Sequence, residues 1–195
     1  MTQDRPRTTD PTHPFGPDAI WAPWRLPYLE SLGDAERHPP TAGSPPRQAE
    51  EPTFLSFYWS RPDLDAAHHV IHRTADGMIL LNKYPYANGH LLVALGEPRP
   101  TLLDYTPDQR GALWRLVDLA ADLMHRTLEP QGINIGINQG RAAGAAVPAH
   151  LHAHLVPRWS GDTNFMGVVG QVRVIPASLE AMHGRYRTAL VGGDA

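Results

Sequence analysis

The chain has 195 residues, a formal net charge of −3 at pH 7 and no cysteine. That length accommodates one core, or one domain with arms. The charge argues against intrinsic nucleic-acid or membrane binding, and the lack of cysteine excludes disulfides and thiolate metal sites. No cationic start runs into an apolar segment, and no stretch approaches the roughly 20 apolar residues of a membrane helix. A cytoplasmic enzyme is the expectation.

The 20 prolines crowd the front of the chain. Met1 to Gly16 is polar and proline-rich, the composition of a disordered or loosely laid segment. Trp21-Ala-Pro-Trp-Arg-Leu-Pro-Tyr28 sets three large aromatics between prolines, a stiff anchor suited to an apolar groove. Gly33 to Arg47 has almost nothing to bury and has the character of a linker. These shifts divide the chain into an arm and linker (residues 1–51), a main domain (52–176), and a C-terminal helix and tail (177–195).

His68-His69-Val70-Ile71-His72 resembles a metal cluster only at first sight. Adjacent histidines on a strand point to opposite faces, so an edge strand without chemistry is the better reading. Asp76-Gly77 signals a turn. Met78 to Asn82 is then a strand, Tyr84 to Gly89 a turn-rich connection, and His90 to Leu95 the next strand. Asn82 sits at a strand end, where an amide can hold ribose hydroxyls. Lys83 beside it is either an electrostatic contributor or a solvated lysine. His90, entering the sheet interior, needs a hydrogen-bond partner.

Thr106-Pro107-Asp108-Gln109 is a helix start, with Thr106 as cap, Pro107 at the first helical position and Gln109 closing a capping box. Leu113, Leu116, Val117, Ala120, Leu123 and Met124 recur at helical spacing, giving one apolar face for a sheet. Gly132 to Asn138 alternates as a strand. Arg141 to Ala146 is a Gly-rich turn whose backbone N–H groups can cradle an anion. Beyond Trp159 a loop leads into a loosely alternating stretch, Val168 to Ile175. Ser178 caps a last helix running to Leu190. The fold class that results is α+β: an antiparallel sheet of about five strands carrying one long helix, with a short C-terminal helix.

Between the turn and the loop stands Pro148-Ala-His-Leu-His-Ala-His-Leu-Val-Pro-Arg158. On a strand, His150, His152 and His154 share one face, while Leu151, Ala153 and Leu155 enter the core. Pro157 closes the strand. Solvent exposure alone does not call for three histidines in a row. Three imidazoles can hold a metal, but no Asp or Glu lies between Gly132 and Gly161 to assist one. A neutral imidazole can instead attack phosphorus while its neighbours donate to phosphate oxygens. From the residues themselves, these readings stay open.

The stretch resembles the histidine-triad (HIT) hydrolases and transferases, whose motif is His-x-His-x-His followed by two apolar residues: His150, His152, His154, Leu155 and Val156. Leu81 to Val93 is similar to the family's nucleotide-side strand pair with its Gly-His turn. Pro157-Arg-Trp-x-Gly-Asp-Thr-Asn-Phe-Met166 looks like the branch of bacterial diadenosine tetraphosphate phosphorylases, also called ATP adenylyltransferases. The resemblance implies a HIT-like fold and a covalent adenylyl-histidine on His152. The enzyme would cleave diadenosine tetraphosphate with inorganic phosphate to ATP and ADP. It implies oxyanion donors from His150 and His154, ribose contact by Asn82, electrostatic help from Lys83, and support of the triad by His90. Phosphate orientation falls to Asn138, Asn164 and the backbone of Gly144 and Ala145. Arg158 either touches phosphate or clamps the fold.

The resemblance requires no cofactor and no catalytic metal, and leaves room for magnesium carried with the nucleotide. It implies a homodimer or larger homo-oligomer. Its alternatives are a hydrolase of dinucleoside polyphosphates or nucleoside phosphoramidates, or a silent nucleotide-binding protein. In two places the chain departs from its relatives. The region where many carry Cys-x-x-Cys, half of a structural zinc site, is Pro52 to Leu55 here and has no cysteine. The Pro-x-x-His that often follows the Leu-Leu-Val strand is replaced by Ala94-Leu-Gly-Glu-Pro-Arg-Pro100.

Overall fold

The computed structural model describes residues 52–162 and 175–192. The N-terminal arm with its aromatic anchor, Asn164, and nearly all of the Val168–Ile175 stretch lie outside them. The described elements are α1 (Phe54–Ser60), β1 (Val70–Arg73), β2 (Gly77–Leu81), β3 (Leu91–Leu95), α2 (Pro107–Leu128), β4 (Gly132–Ile137), β5 (His152–Arg158) and α3 (Leu179–Val191). The strands form one five-stranded sheet in the order β1-β2-β3-β5-β4, with every neighbouring pair antiparallel. This is the expected α+β architecture, with a long helix and a short C-terminal one.

Alternation along the strands gives the sheet two unlike faces. Ile79, Leu91, Val93, Ala153 and Leu155 pack against Leu113, Leu116, Val117, Ala120, Leu123 and Met124 of α2. The α2 capping box forms as its sequence demands: Thr106 accepts from the Gln109 N–H, and the Gln109 side chain accepts from the Thr106 N–H. Met182 and Tyr186 of α3 close the same core, and the Tyr186 hydroxyl donates to the Gly89 carbonyl at 2.8 Å.

On the opposite face, Met78, Leu80, Leu92 and Ala94 meet Val70 and Leu55 of α1. Helix α1 sits on this face because Trp59 lies directly over Gly96, where any Cβ would collide with the indole. Arg73 ties the helix down further. Its guanidinium donates to the Tyr58 and Trp59 carbonyls and to both carboxylate oxygens of Asp65, and it lies 5.3 Å from the Trp59 ring centroid.

Two local expectations differ from the structure. Strand β5 begins at His152, so His150 precedes it in the incoming turn. There the His150 N–H bonds the Val147 carbonyl and the Leu151 N–H bonds the Arg99 carbonyl, outside the ladder. Pro157 lies within β5 rather than closing it. Strand β3 pairs only as far as Leu155, so no β3 carbonyl is left waiting for the N–H that proline lacks. Among the described residues, no helix is long and apolar enough to cross a membrane.

Candidate active site

Strand period places His152 and His154 on the sheet face opposite α2. His152 stands across from Ala94, and His154 lies between Leu92 and Gly136. The small neighbours Ala94 and Gly136 leave lateral room for the imidazoles. Both rings line a cavity of about 620 Å³, with their centroids 4.9 Å apart.

The hydrogen-bond partners assign the tautomers. His152 Nδ1 is 2.9 Å from the His150 carbonyl oxygen, which can only accept. Nδ1 therefore carries the proton, and in the neutral ring Nε2 holds a lone pair. Burial lowers the His152 pKa, opposed by the bond to His150, and so favours the neutral ring.

For His154 the assignment starts one residue further back. The Tyr86 backbone N–H, which can only donate, meets His90 Nδ1 at 3.1 Å. The Asn82 amide nitrogen is also 3.2 Å from that atom, while Asn82 Oδ1 accepts from the Tyr84 N–H at 2.9 Å. His90 Nδ1 is thus an acceptor, and its Nε2–H donates to His154 Nδ1 at 3.0 Å. The remaining proton of neutral His154 sits on Nε2. Burial, then the proximity of His152, pushes the His154 pKa down to about 4. The site thus pairs an imidazole lone pair on His152 with an imidazole N–H donor on His154.

His150 is placed differently. It is fully buried and its two ring nitrogens are engaged inside the protein. Nε2 donates to the Leu95 carbonyl at 2.8 Å; Nδ1 lies 3.0 Å from Thr53 Oγ1 and 3.3 Å from Ser56 Oγ. Burial lowers its pKa, against the bond to Leu95. The zinc clip of many relatives finds no equivalent donors at this place. Zinc takes thiolate, imidazole or carboxylate ligands, whereas here hydroxyls bond an imidazole. Among the described residues, no group of three His, Cys, Asp or Glu side chains is placed to hold a metal.

Of the other residues singled out in the sequence, Asn82 and Lys83 line the cavity, and His90 is buried behind His154. Asn138 Nδ2 is 3.5 Å from the Gly144 carbonyl. Gly144 turns the chain with φ +86°, and the Gly144 and Ala145 N–H groups bond the Arg141 and Gly140 carbonyls. From this turn it is Ala146 and Val147 that reach the cavity wall. Arg158 is bidentate to Asp162 and also donates to Asn134, so it clamps the β4–β5 end.

Sequence reasoning missed the aromatic wall. Tyr58 stacks on His68 with centroids 3.9 Å apart and planes at 9°, and both line the cavity together with Phe54. Tyr86 lies nearly parallel to the His154 ring at 5.9 Å. Such faces suit a nucleobase. In sequence Phe54, Phe57, Tyr58 and Trp59 read as apolar packing in place of the metal clip; the structure instead puts Phe54 and Tyr58 on the cavity wall, Tyr58 stacked on a histidine of the His68–His72 run.

Comparison with known proteins agrees with this geometry. Residues 64–161 match the HIT domain family. The chain is 34% identical over 160 residues to the AP-4-A phosphorylase of Mycobacterium tuberculosis, covering 82% of this chain and 77% of that protein. It is 33% identical over 93 residues to the asymmetrical bis(5'-nucleosyl)-tetraphosphatase of Schizosaccharomyces pombe, covering 48% of this chain and 50% of that one. Among solved structures, a zinc-bound histidine triad family protein from Mycobacterium smegmatis superposes with a TM-score of 0.58 at 27% identity. That match covers 71% of this chain and 94% of that one.

Proposed function

Because the chain belongs to the HIT-domain family of histidine-triad nucleotide-binding proteins, we propose that it cleaves diadenosine tetraphosphate with inorganic phosphate, giving ATP and ADP. The observation that carries the chemistry is the pair of contacts, His152 Nδ1 to the His150 carbonyl and His90 Nε2 to His154 Nδ1, that assign the two rings opposite tautomers. His152 Nε2 attacks the α-phosphorus, the bond from that phosphorus to the bridging oxygen breaks, and ATP leaves. The enzyme holds an adenylyl group on His152 Nε2. A phosphate oxygen then attacks the same phosphorus, the P–N bond breaks, and ADP departs with the His152 lone pair restored. His154 Nε2–H donates to a non-bridging oxygen, where charge grows in both steps. Covalent catalysis by an imidazole needs no metal; magnesium would arrive with the nucleotide phosphates.

The choice of phosphate as acceptor is supported by the 34% identity to a phosphorylase over 77% of its length. The shorter match to a tetraphosphatase marks water as the competing acceptor. A product assay on diadenosine tetraphosphate, with and without phosphate, tests the choice. ATP plus ADP at a phosphate-dependent rate is expected. Phosphate-independent formation of ATP plus AMP makes the protein a hydrolase, and binding without turnover makes it a silent nucleotide-binding protein.

We propose also that the protein is a homodimer. Among the described residues, β4 is an outer strand of the sheet, and its Ile135 is 45% exposed. An apolar edge strand of this kind is stabilised by pairing with a second copy.

A further inference from the structure

The first histidine of the triad lies outside the cavity, and its surroundings give it other work. His150 Nε2–H donates to the Leu95 carbonyl, so the neutral ring presents a lone pair at Nδ1. Thr53 Oγ1 is the nearer hydroxyl to that lone pair, at 3.0 Å. Thr53 Oγ1 also accepts from the Ser56 N–H at 3.1 Å and lies 3.0 Å from Ser56 Oγ. One proton arrangement satisfies these contacts and leaves only the longer approach of Ser56 Oγ to His150 Nδ1, at 3.3 Å, unused. The Ser56 hydroxyl donates to Thr53, and the Thr53 hydroxyl donates to His150 Nδ1. The ring is then held at both nitrogens, by β3 on one side and by the start of α1 on the other. Its own carbonyl accepts the Nδ1–H of His152 at 2.9 Å.

We infer that Thr53 and Ser56 are positioning residues, which fix the His152 nucleophile through His150. The inference rests on the reading of His152 as nucleophile. Rigidity reaches the hydroxyls from the far end of α1, where Trp59 is seated on Gly96 and Arg73 holds the Tyr58 and Trp59 carbonyls. With α1 fixed on the sheet, Thr53 is both its N-cap and the donor to His150. The anchored His150 carbonyl selects the Nδ1–H tautomer of His152, and with it the nucleophilic Nε2. A carbonyl free to shift would let the other tautomer form, which places the proton on the attacking atom. Hydroxyls at i and i+3, on the N-cap and in the first turn of a short helix, hold the imidazole directly.

The test compares Thr53→Val/Ser56→Ala with Thr53→Ser in the full chain, by steady-state turnover of diadenosine tetraphosphate and by long-range ¹H–¹⁵N spectra of the histidines. Turnover by the unsubstituted protein is measured first, so that failure of the functional reading is seen separately. The double variant is expected to lose about tenfold in kcat, the size of one hydrogen bond's contribution, with KM little changed. Its His152 should show mixed tautomers. Thr53→Ser keeps the hydroxyl and should keep both kcat and a single Nδ1–H tautomer. Wild-type kcat in the double variant, or a loss of kcat with the His152 tautomer unchanged, overturns the inference. Should the double variant not fold, Thr53→Val alone is set against Thr53→Ser with the same outcomes, since it removes the nearer hydroxyl at 3.0 Å and leaves only that of Ser56 at 3.3 Å.

Discussion

His90 Nε2 lies 3.0 Å from His154 Nδ1, and the direction of that hydrogen bond is dictated by the backbone N–H of Tyr86 on the far side of the His90 ring. A backbone donor cannot reverse, so the His154 N–H is fixed toward Nε2 without any charged group. Removing His90 frees His154 to place its proton on either nitrogen. His90→Ala should lower kcat on the order of 10²-fold, as for loss of one preorganised donor, with a much smaller effect on KM. Steady-state kinetics measure this. A KM effect alone would place His90 in substrate binding instead.

The covalent intermediate gives a second outcome. Rapid mixing with diadenosine tetraphosphate in the absence of phosphate should leave an adenylyl group on His152, stable in alkali and lost in acid, as a phosphoramidate is. Peptide mapping locates it. Label at His150 or His154 would contradict the tautomer assignment, since Nε2 of each carries the proton: that of His150 donates to the Leu95 carbonyl, and His154 Nδ1 accepts from His90. His152→Ala should abolish turnover while the protein keeps its cooperative melt.

Much of this was legible along the chain because it depends on local period and local caps. The alternation from Leu151 to Leu155 puts His152 and His154 on one face whatever the rest of the fold does. Thr106 and Gln109 close the α2 start within one turn. His150 was not legible. Its departure from the strand rests on the Leu95 carbonyl and on hydroxyls that are 97 and 94 positions away. The aromatic wall was hidden for the same reason, because Tyr58 and His68 stack only after α1 folds back over the sheet. Arg158 was ambiguous in sequence and became a clamp once Asp162 and Asn134 met it.

The pH dependence follows from the buried imidazoles. His152 must be neutral to attack, and burial lowers its pKa below the ordinary 6.5. The acid limb of kcat/KM should therefore reach half-maximum below pH 6.5. For stability, the unfolded chain binds protons at histidine below about 6.5, while folded His150, His152 and His154 resist protonation. Stability should fall as pH drops below 6.5, continuing toward the His154 value of about 4. Denaturant titrations at several pH values give the slope; a rise in stability on acidification would contradict it.

Gly96 tests the seating of α1. An added methyl meets the Trp59 indole, which must leave its place over the strand and beside Arg73. Gly96→Ala should cost about 1–3 kcal/mol, as overpacking does, read as a lower denaturant midpoint at unchanged m-value. Turnover should fall too, because Thr53 reaches His150 from the same helix.

The outer edge of the sheet supplies the last expectation. Strand β4 runs Gly132–Ile137 and pairs with β5 on one side. Ile133 and Ile137 pack partly against the main core, and Ile135 between them is 45% exposed. Among the described residues no strand pairs with the other side of β4, and an apolar edge with open backbone groups favours association with another strand. A second copy of β4, turned antiparallel about a twofold axis, would meet those groups with its own and set the two isoleucine rows side by side. Sedimentation equilibrium should then give twice the 21.5 kDa chain mass. Ile135→Lys adds a charge to that row and should shift the equilibrium toward monomer without unfolding the domain, since the side chain is already half in solvent. A monomeric unsubstituted protein, or a dimer indifferent to Ile135→Lys, would remove β4 as the contact.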